Sequence, residues 1–150
     1  MAIEQQPSKD LALAAVPQVG RLLATGEIEE PYRLVDAAGR PVEPVAAFFR
    51  DLQAAGRSAS TLRSYGLDLL RWFRFVWAVD AVWDRATRAE ARDFSRWLQL
   101  AGKPARPHWR KPHEPAVGST TGEAYAASVR AHSETVLRTF YDFHREAGTG

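Results

Sequence analysis

Residues 56–77 read GRSASTLRSYGLDLLRWFRFVW, and the way this stretch folds decides the rest. Laid on a helix at about 100° per residue, Leu62, Tyr65, Leu69, Trp72, Phe73 and Val76 share one arc about 100° wide, with Ser60 in place as N-cap. That arc is a core face. Arg63 and Arg74 lie about 20° apart, and Arg71 about 80° from Arg63, all away from the arc. Arg57 precedes the helix, and Ser58, Ser60 and Thr61 crowd its start. A helix N-terminus carries unpaired N–H groups and a partial positive charge, so hydroxyls and arginines gathered there form a corner that suits phosphate. The same residues also describe an ordinary cap and a solvated face, the commonest arrangement on globular proteins.

Three further helices follow from periodicity and end signals. The first begins near Pro44, buries Val45, Phe48, Phe49 and Leu52, and stops at Gly56. The third starts at the capping box Thr87/Glu90, turns Ala91, Phe94, Trp97 and Leu98 inward, and ends at Gly102. The fourth starts at a second capping box, Thr120/Glu123, and its apolar line is Tyr125, Val129, Val136, Phe140 and Phe143. Between the third and fourth, residues 103–118 (KPARPHWRKPHEPAVG) hold four prolines and four Lys/Arg, an extended basic loop. Ahead of the first, YRLVDAAGRPVEP reads as an extended segment turning near Ala38 and Gly39. Residues 11–23 are expected to add a short helix.

The 150 residues, 45% of them hydrophobic, suffice for one core and fit one domain with an appendage. Cysteine is absent, which removes disulfides and cysteine zinc sites. His108 and His113 have too few neighbouring ligands for a metal, and His132 is expected to pack, partly buried, beside the fourth helix's apolar line. No metal or other cofactor is expected. No signal arrangement opens the sequence, and no apolar run nears the roughly 20 residues that span a bilayer. The net charge of +2 is small, so any nucleic-acid argument rests on where the charges sit. Nucleophile elbow, P-loop and paired catalytic carboxylates are missing, which disfavours a hydrolase or transferase.

Four elements in order, FFRDLQAAGRSASTLRSYGLDLLRWFRF, WDRATRAEARDFSRWL and SVRAHSETVLRTFYDFHREAGTG, with their TLRSY entry to the second helix and VLRTFYDFHRE ending, resemble the N-terminal core-binding domain of tyrosine recombinases, the phage-integrase-like family. The likeness spans about residues 42–147. It implies an all-α, four-helix orthogonal bundle of SAM-like type, preceded by an irregular, partly extended arm over 1–41. Residues 148–150 would begin the linker to a catalytic domain absent from this chain. The resemblance further implies one jaw of a clamp around duplex DNA, facing it with the second and fourth helices, in a cytoplasmic, nucleoid-associated protein that serves DNA integration and recombination.

The implied partners are a double-stranded recombination half-site and other recombinase protomers, with no membrane and no small-molecule substrate. The family's phosphate-activating His-x-x-Arg does not occur here, and Tyr65, Tyr125 and Tyr141 read as packing aromatics, so the chain itself is not expected to be an enzyme. The candidate DNA contacts are Arg57, Ser60, Thr61 and Arg63 at the second helix. Lys103, Arg106, Arg110 and Lys111 join them from the basic loop, and Arg130 and Arg138 from the fourth helix. Arg130 and Arg138, with Glu134 between them, fit an intrahelical pairing ladder equally well. A helical protein-interaction module without DNA affinity is the competing reading.

Overall fold

Helix α2, Ala59–Ala78, is the axis of the molecule. The computed structural model describes residues 16–100 and 127–149. In chain order these form β1 (Arg21–Glu27), β2 (Glu30–Val35), α1 (Glu43–Ala54), α2, a 3-10 turn (Trp83–Arg85), α3 (Arg88–Leu100) and α4 (Ala127–Ala147). Helix α2 packs against both strands and all three other helices. Leu62, Leu69, Trp72, Phe73 and Val76 are at most 2% exposed, as the wheel predicts. Tyr65 is half-buried. Contact on several sides also buries Leu70 and Phe75, outside the expected arc.

Around this axis the four expected residues of α1, Val45, Phe48, Phe49 and Leu52, are all buried. On α3, Phe94, Trp97 and Leu98 are buried, but Ala91 is exposed, because α2 and α4 cover only one side of this helix. Helix α4 buries Val136, Leu137, Phe140, Ser133 and His144, while Val129 and Phe143 are half-buried. Edge-on aromatic contacts knit the layers: Phe140 against Phe48 at 5.4 Å and Phe73 at 6.1 Å, and Trp72 against Phe94 at 5.2 Å. Trp72 Nε1 donates to the Tyr141 hydroxyl (3.0 Å), which donates to the Trp83 carbonyl (2.6 Å), so this phenol is fully used inside the packing.

The helix ends obey local chemistry. Thr87 and Glu90 form the expected box, with Thr87 N donating to Glu90 Oε1 (2.6 Å) and Ala89 N to Thr87 Oγ1 (3.1 Å). Gly56, at φ +85°, closes α1 in a Schellman turn, with Arg57 N on Leu52 O at 3.0 Å. Helix α2 starts two residues earlier than the sequence suggests. Ser58, not Ser60, is its N-cap and takes Thr61 N at 3.2 Å, because the turn at Gly56 delivers an extended residue at 58. The Gly102 end, the Thr120/Glu123 box, Tyr125, His108, His113 and residues 11–15 of the expected first helix lie outside the described residues.

The largest departure is at the N-terminal side. Residues 21–27 are strand, not helix, and the fold is mostly helical with a small two-stranded antiparallel sheet instead of strictly all-α. Leu22 pairs with Leu34 and Ala24 with Tyr32, and a register shift follows between Ala24 and Glu27. Gly20 and Gly26, at φ +73° and +80°, break a helical path at both ends of the segment. The hairpin belongs to the core: Leu34 and Val35 are 2% exposed, and Leu22 sits over Gly66 of α2, where a Cβ would stand 2.7 Å from its Cδ1. Arg74 fastens the approach by donating to Val19 O (2.7 Å), Gly20 O (3.0 Å) and Gln18 Oε1 (2.9 Å). As expected, the chain turns at 36–40, where Asp36 Oδ1 accepts from Ala38 N and Arg40 N, each at 2.9 Å.

Candidate nucleic-acid interface

Burial on most sides of α2 leaves one strip facing solvent. Ser60, Arg63 and Ser64 are exposed on it and Leu67 and Arg71 half-buried, positions that recur at helical spacing over about 16 Å. The strip begins at a corner built as expected. Arg57 is exposed, and the Ser58 hydroxyl lies 3.1 Å from both Ser60 Oγ and Thr61 Oγ1. Since Ser58 caps Thr61 N, the N–H groups just ahead of Thr61 are those that a helix leaves without internal acceptors. The first turn contains no acid.

Between Arg57 and Arg74 the only acid is Asp68, and it is 2% exposed. Arg71 and Ser133 donate to its Oδ1, both at 2.5 Å, and His132 Nδ1 meets its Oδ2 at 2.6 Å. This cluster ties α2 to α4. The His132 side chain, 45% exposed, lies at the helix seam with its ring edge-on to Tyr65 at 5.9 Å. Arg71 and His132 were not among the candidate contacts. The readable signal was an aspartate three residues before an arginine on a helix, a pairing distance.

The other candidates separate. Arg130 is half-buried and engaged. Arg138 is exposed on a different face, at a groove of about 640 Å³ between α3 and α4. Phe94, Leu98 and Leu137 help line this groove, and Arg88 and Arg92 share it with Arg138. Glu134 accepts from Ser95 Oγ across it (3.4 Å). Lys103, Arg106, Arg110 and Lys111 lie outside the described residues. The structure thus brings together Arg57, Ser60, Thr61 and Arg63, and sets Arg138 apart.

The described residues thus form a mostly helical domain in which α2 starts between exposed Arg57 and Arg63 with no acid in its first turn. Comparison with known families gives a likeness over part of the chain. Residues 45–111, less than half of the chain, match the family model of the phage integrase N-terminal SAM-like domain, in line with the resemblance seen in the sequence. The match takes in nearly all of α1 and the whole of α2 and α3, and α4 follows it. No curated protein and no solved structure matches the chain. No helix among the described residues is long and apolar enough to cross a membrane.

Proposed function

We propose that residues 42–147 are the DNA-binding core-binding domain of a site-specific recombinase, holding a duplex half-site through the exposed strip of α2. The observation that carries this reading is the strip's charge: arginines at 57, 63 and 71, and no exposed carboxylate, because Asp68 is buried beneath Arg71. Arg57, Ser60 and Thr61 would contact phosphates and fix the register. Arg63, one turn inside the helix, would reach a base edge. Lys103, Arg106, Arg110 and Lys111 would add sequence-blind phosphate contacts, and other recombinase protomers would bind beside this one. The role is to hold DNA, and the family's strand-exchange chemistry falls to a following domain.

The test is a fluorescence titration of the full chain against matched and scrambled duplexes at several salt concentrations. Four to seven phosphate contacts would give a log–log salt slope of about −4 to −6. Arg57→Ala should weaken binding equally across sequences, whereas Arg63→Ala should cost about 1–3 kcal/mol and relax preference at one base pair. If Arg63→Ala is silent while Arg138→Ala abolishes binding, the DNA face lies on α4. If no duplex binds at low salt, the α3–α4 groove becomes the surface to examine and the protein-interaction reading prevails.

A further inference from the structure

We infer that Asp68, Arg71 and His132 form a proton-linked phosphate site at the α2–α4 seam, at which binding of a DNA phosphodiester takes up a proton on His132. The inference rests on the DNA-binding reading and specifies how one part of that surface works. With a guanidinium and a hydroxyl already donating to Oδ1, the Asp68 carboxylate can only accept, so the 2.6 Å contact at Oδ2 is a donation from His132 Nδ1–H. This fixes the tautomer of the neutral ring, and Nε2 carries its lone pair. No described residue hydrogen-bonds Nε2, on a side chain 45% exposed.

A phosphodiester oxygen is also an acceptor only, so phosphate and neutral imidazole present lone pair to lone pair. A proton on Nε2 turns that mismatch into a charge-assisted hydrogen bond. The ion count agrees: with the ring neutral, Arg71 and Asp68 cancel, and the proton gives the cluster its net positive charge. The charged or titratable groups on α2 facing the ring are Asp68, Arg71 and Tyr65. One turn away on α4, Ser128, Val129, Thr135 and Val136 carry no charge. Buried Asp68 is a positioning residue here. It holds Arg71 and His132 side by side and orients the ring outward.

The experiment measures affinity of the full chain for a random-sequence duplex at fixed salt from pH 8 to pH 5.5. Proton uptake is measured in parallel by calorimetry in two buffers of different ionisation enthalpy. Wild type should tighten about tenfold towards acid, the scale of one charge-assisted bond, with net proton uptake. H132Q should lose most of the acid gain. H132R, a fixed cation, should bind at pH 8 as wild type does in acid. Binding by wild type without proton uptake, or a full acid gain in H132Q, overturns the inference and leaves the DNA reading standing. No binding by wild type at any pH overturns both.

Discussion

At Gly20 a side chain would stand 2.7 Å from the Val35 carbonyl oxygen and 3.2 Å from the Trp77 ring, on a backbone at φ +73°. The obstructing atom is backbone in a strand, so it cannot swing away. Gly20→Ala should lose about 2–3 kcal/mol in urea denaturation, part from the left-handed conformation and part from the clash. Gly39→Ala, at φ +82° but in open space, should lose about 1 kcal/mol, and the difference between the two isolates the close approach. Tyr141 makes a second residue-scale prediction. Burial pushes its phenol up to about 12 from an ordinary 10.0, partly offset by the Trp72 hydrogen bond, with Asp84 and Glu90 adding a smaller upward push. The folded state thus favours the neutral phenol. This contribution, up to about 2.7 kcal/mol, is complete below pH 10 and is lost as the pH rises from 10 towards 12. Ultraviolet titration should show a late phenol step that Tyr141→Phe removes. Tyr141 was legible as a packing aromatic from helical spacing, but its two hydroxyl partners, 58 and 69 residues away in sequence, were not.

Among elements, three helices end in the same Schellman geometry, and one of them ends on the wrong residue. Helices α1 and α4 place Gly56 and Gly148 in the left-handed position, at φ +85° and +75°. Helix α2 places Asp80 there, at φ +62°, with Ala81 N on Val76 O at 2.8 Å closing the turn. Aspartate tolerates this conformation better than most residues but still at a cost, so Asp80→Gly should stabilise by about 0.5–1 kcal/mol and Asp80→Ala should not. Thermal melts of the two variants check the sign. The elements differed in legibility for a physical reason. Helix α1 packs on one side only, so its apolar face reads off the sequence residue for residue. Helix α2 is enclosed on several sides, so Leu70 and Phe75 are buried beyond any single arc, and Asp68 is buried because α4 supplies its partners. The hairpin was hidden because its strand signal is weak. Gly20 precedes the seven-residue strand and Gly26 lies near its end, and its apolar residues fit helical spacing as well, so the positive-φ glycines and the docking of Leu22 onto Gly66 together decide for the strand.

Over the described residues, side-chain bonds to backbone carbonyls fix both ends of α1. His144, 2% exposed, donates from Nε2 to the Pro44 carbonyl at 2.9 Å, joining the end of α4 to the start of α1. The hairpin tip joins the other end of α1, with Gln53 Nε2 donating to Ile28 O at 2.7 Å. The tip carries Glu27, Glu29 and Glu30. The Glu30 carboxyl is held below its ordinary range, first by the hydrogen-bonded Arg33 guanidinium, with partial burial opposing and Arg50 adding attraction. Glu27 and Glu29 are exposed. The tip is held through Ile28 by Gln53, four residues before Arg57 in sequence, and the turn at the end of α1 bonds Arg57 N to Leu52 O. If α2 meets DNA at that end, phosphates approach within about a Debye length of two negative charges that offer them nothing. The double substitution Glu27→Gln/Glu29→Gln should therefore tighten duplex binding about threefold at 50 mM salt and lose that advantage near 500 mM, where screening shortens the reach of both charges. Gln preserves size, and neither carboxylate is buried, so stability should hold within about 0.5 kcal/mol. Unchanged affinity at low salt would place the duplex away from the α1–α2 corner, whereas weakened affinity would mean that the tip itself contacts the ligand.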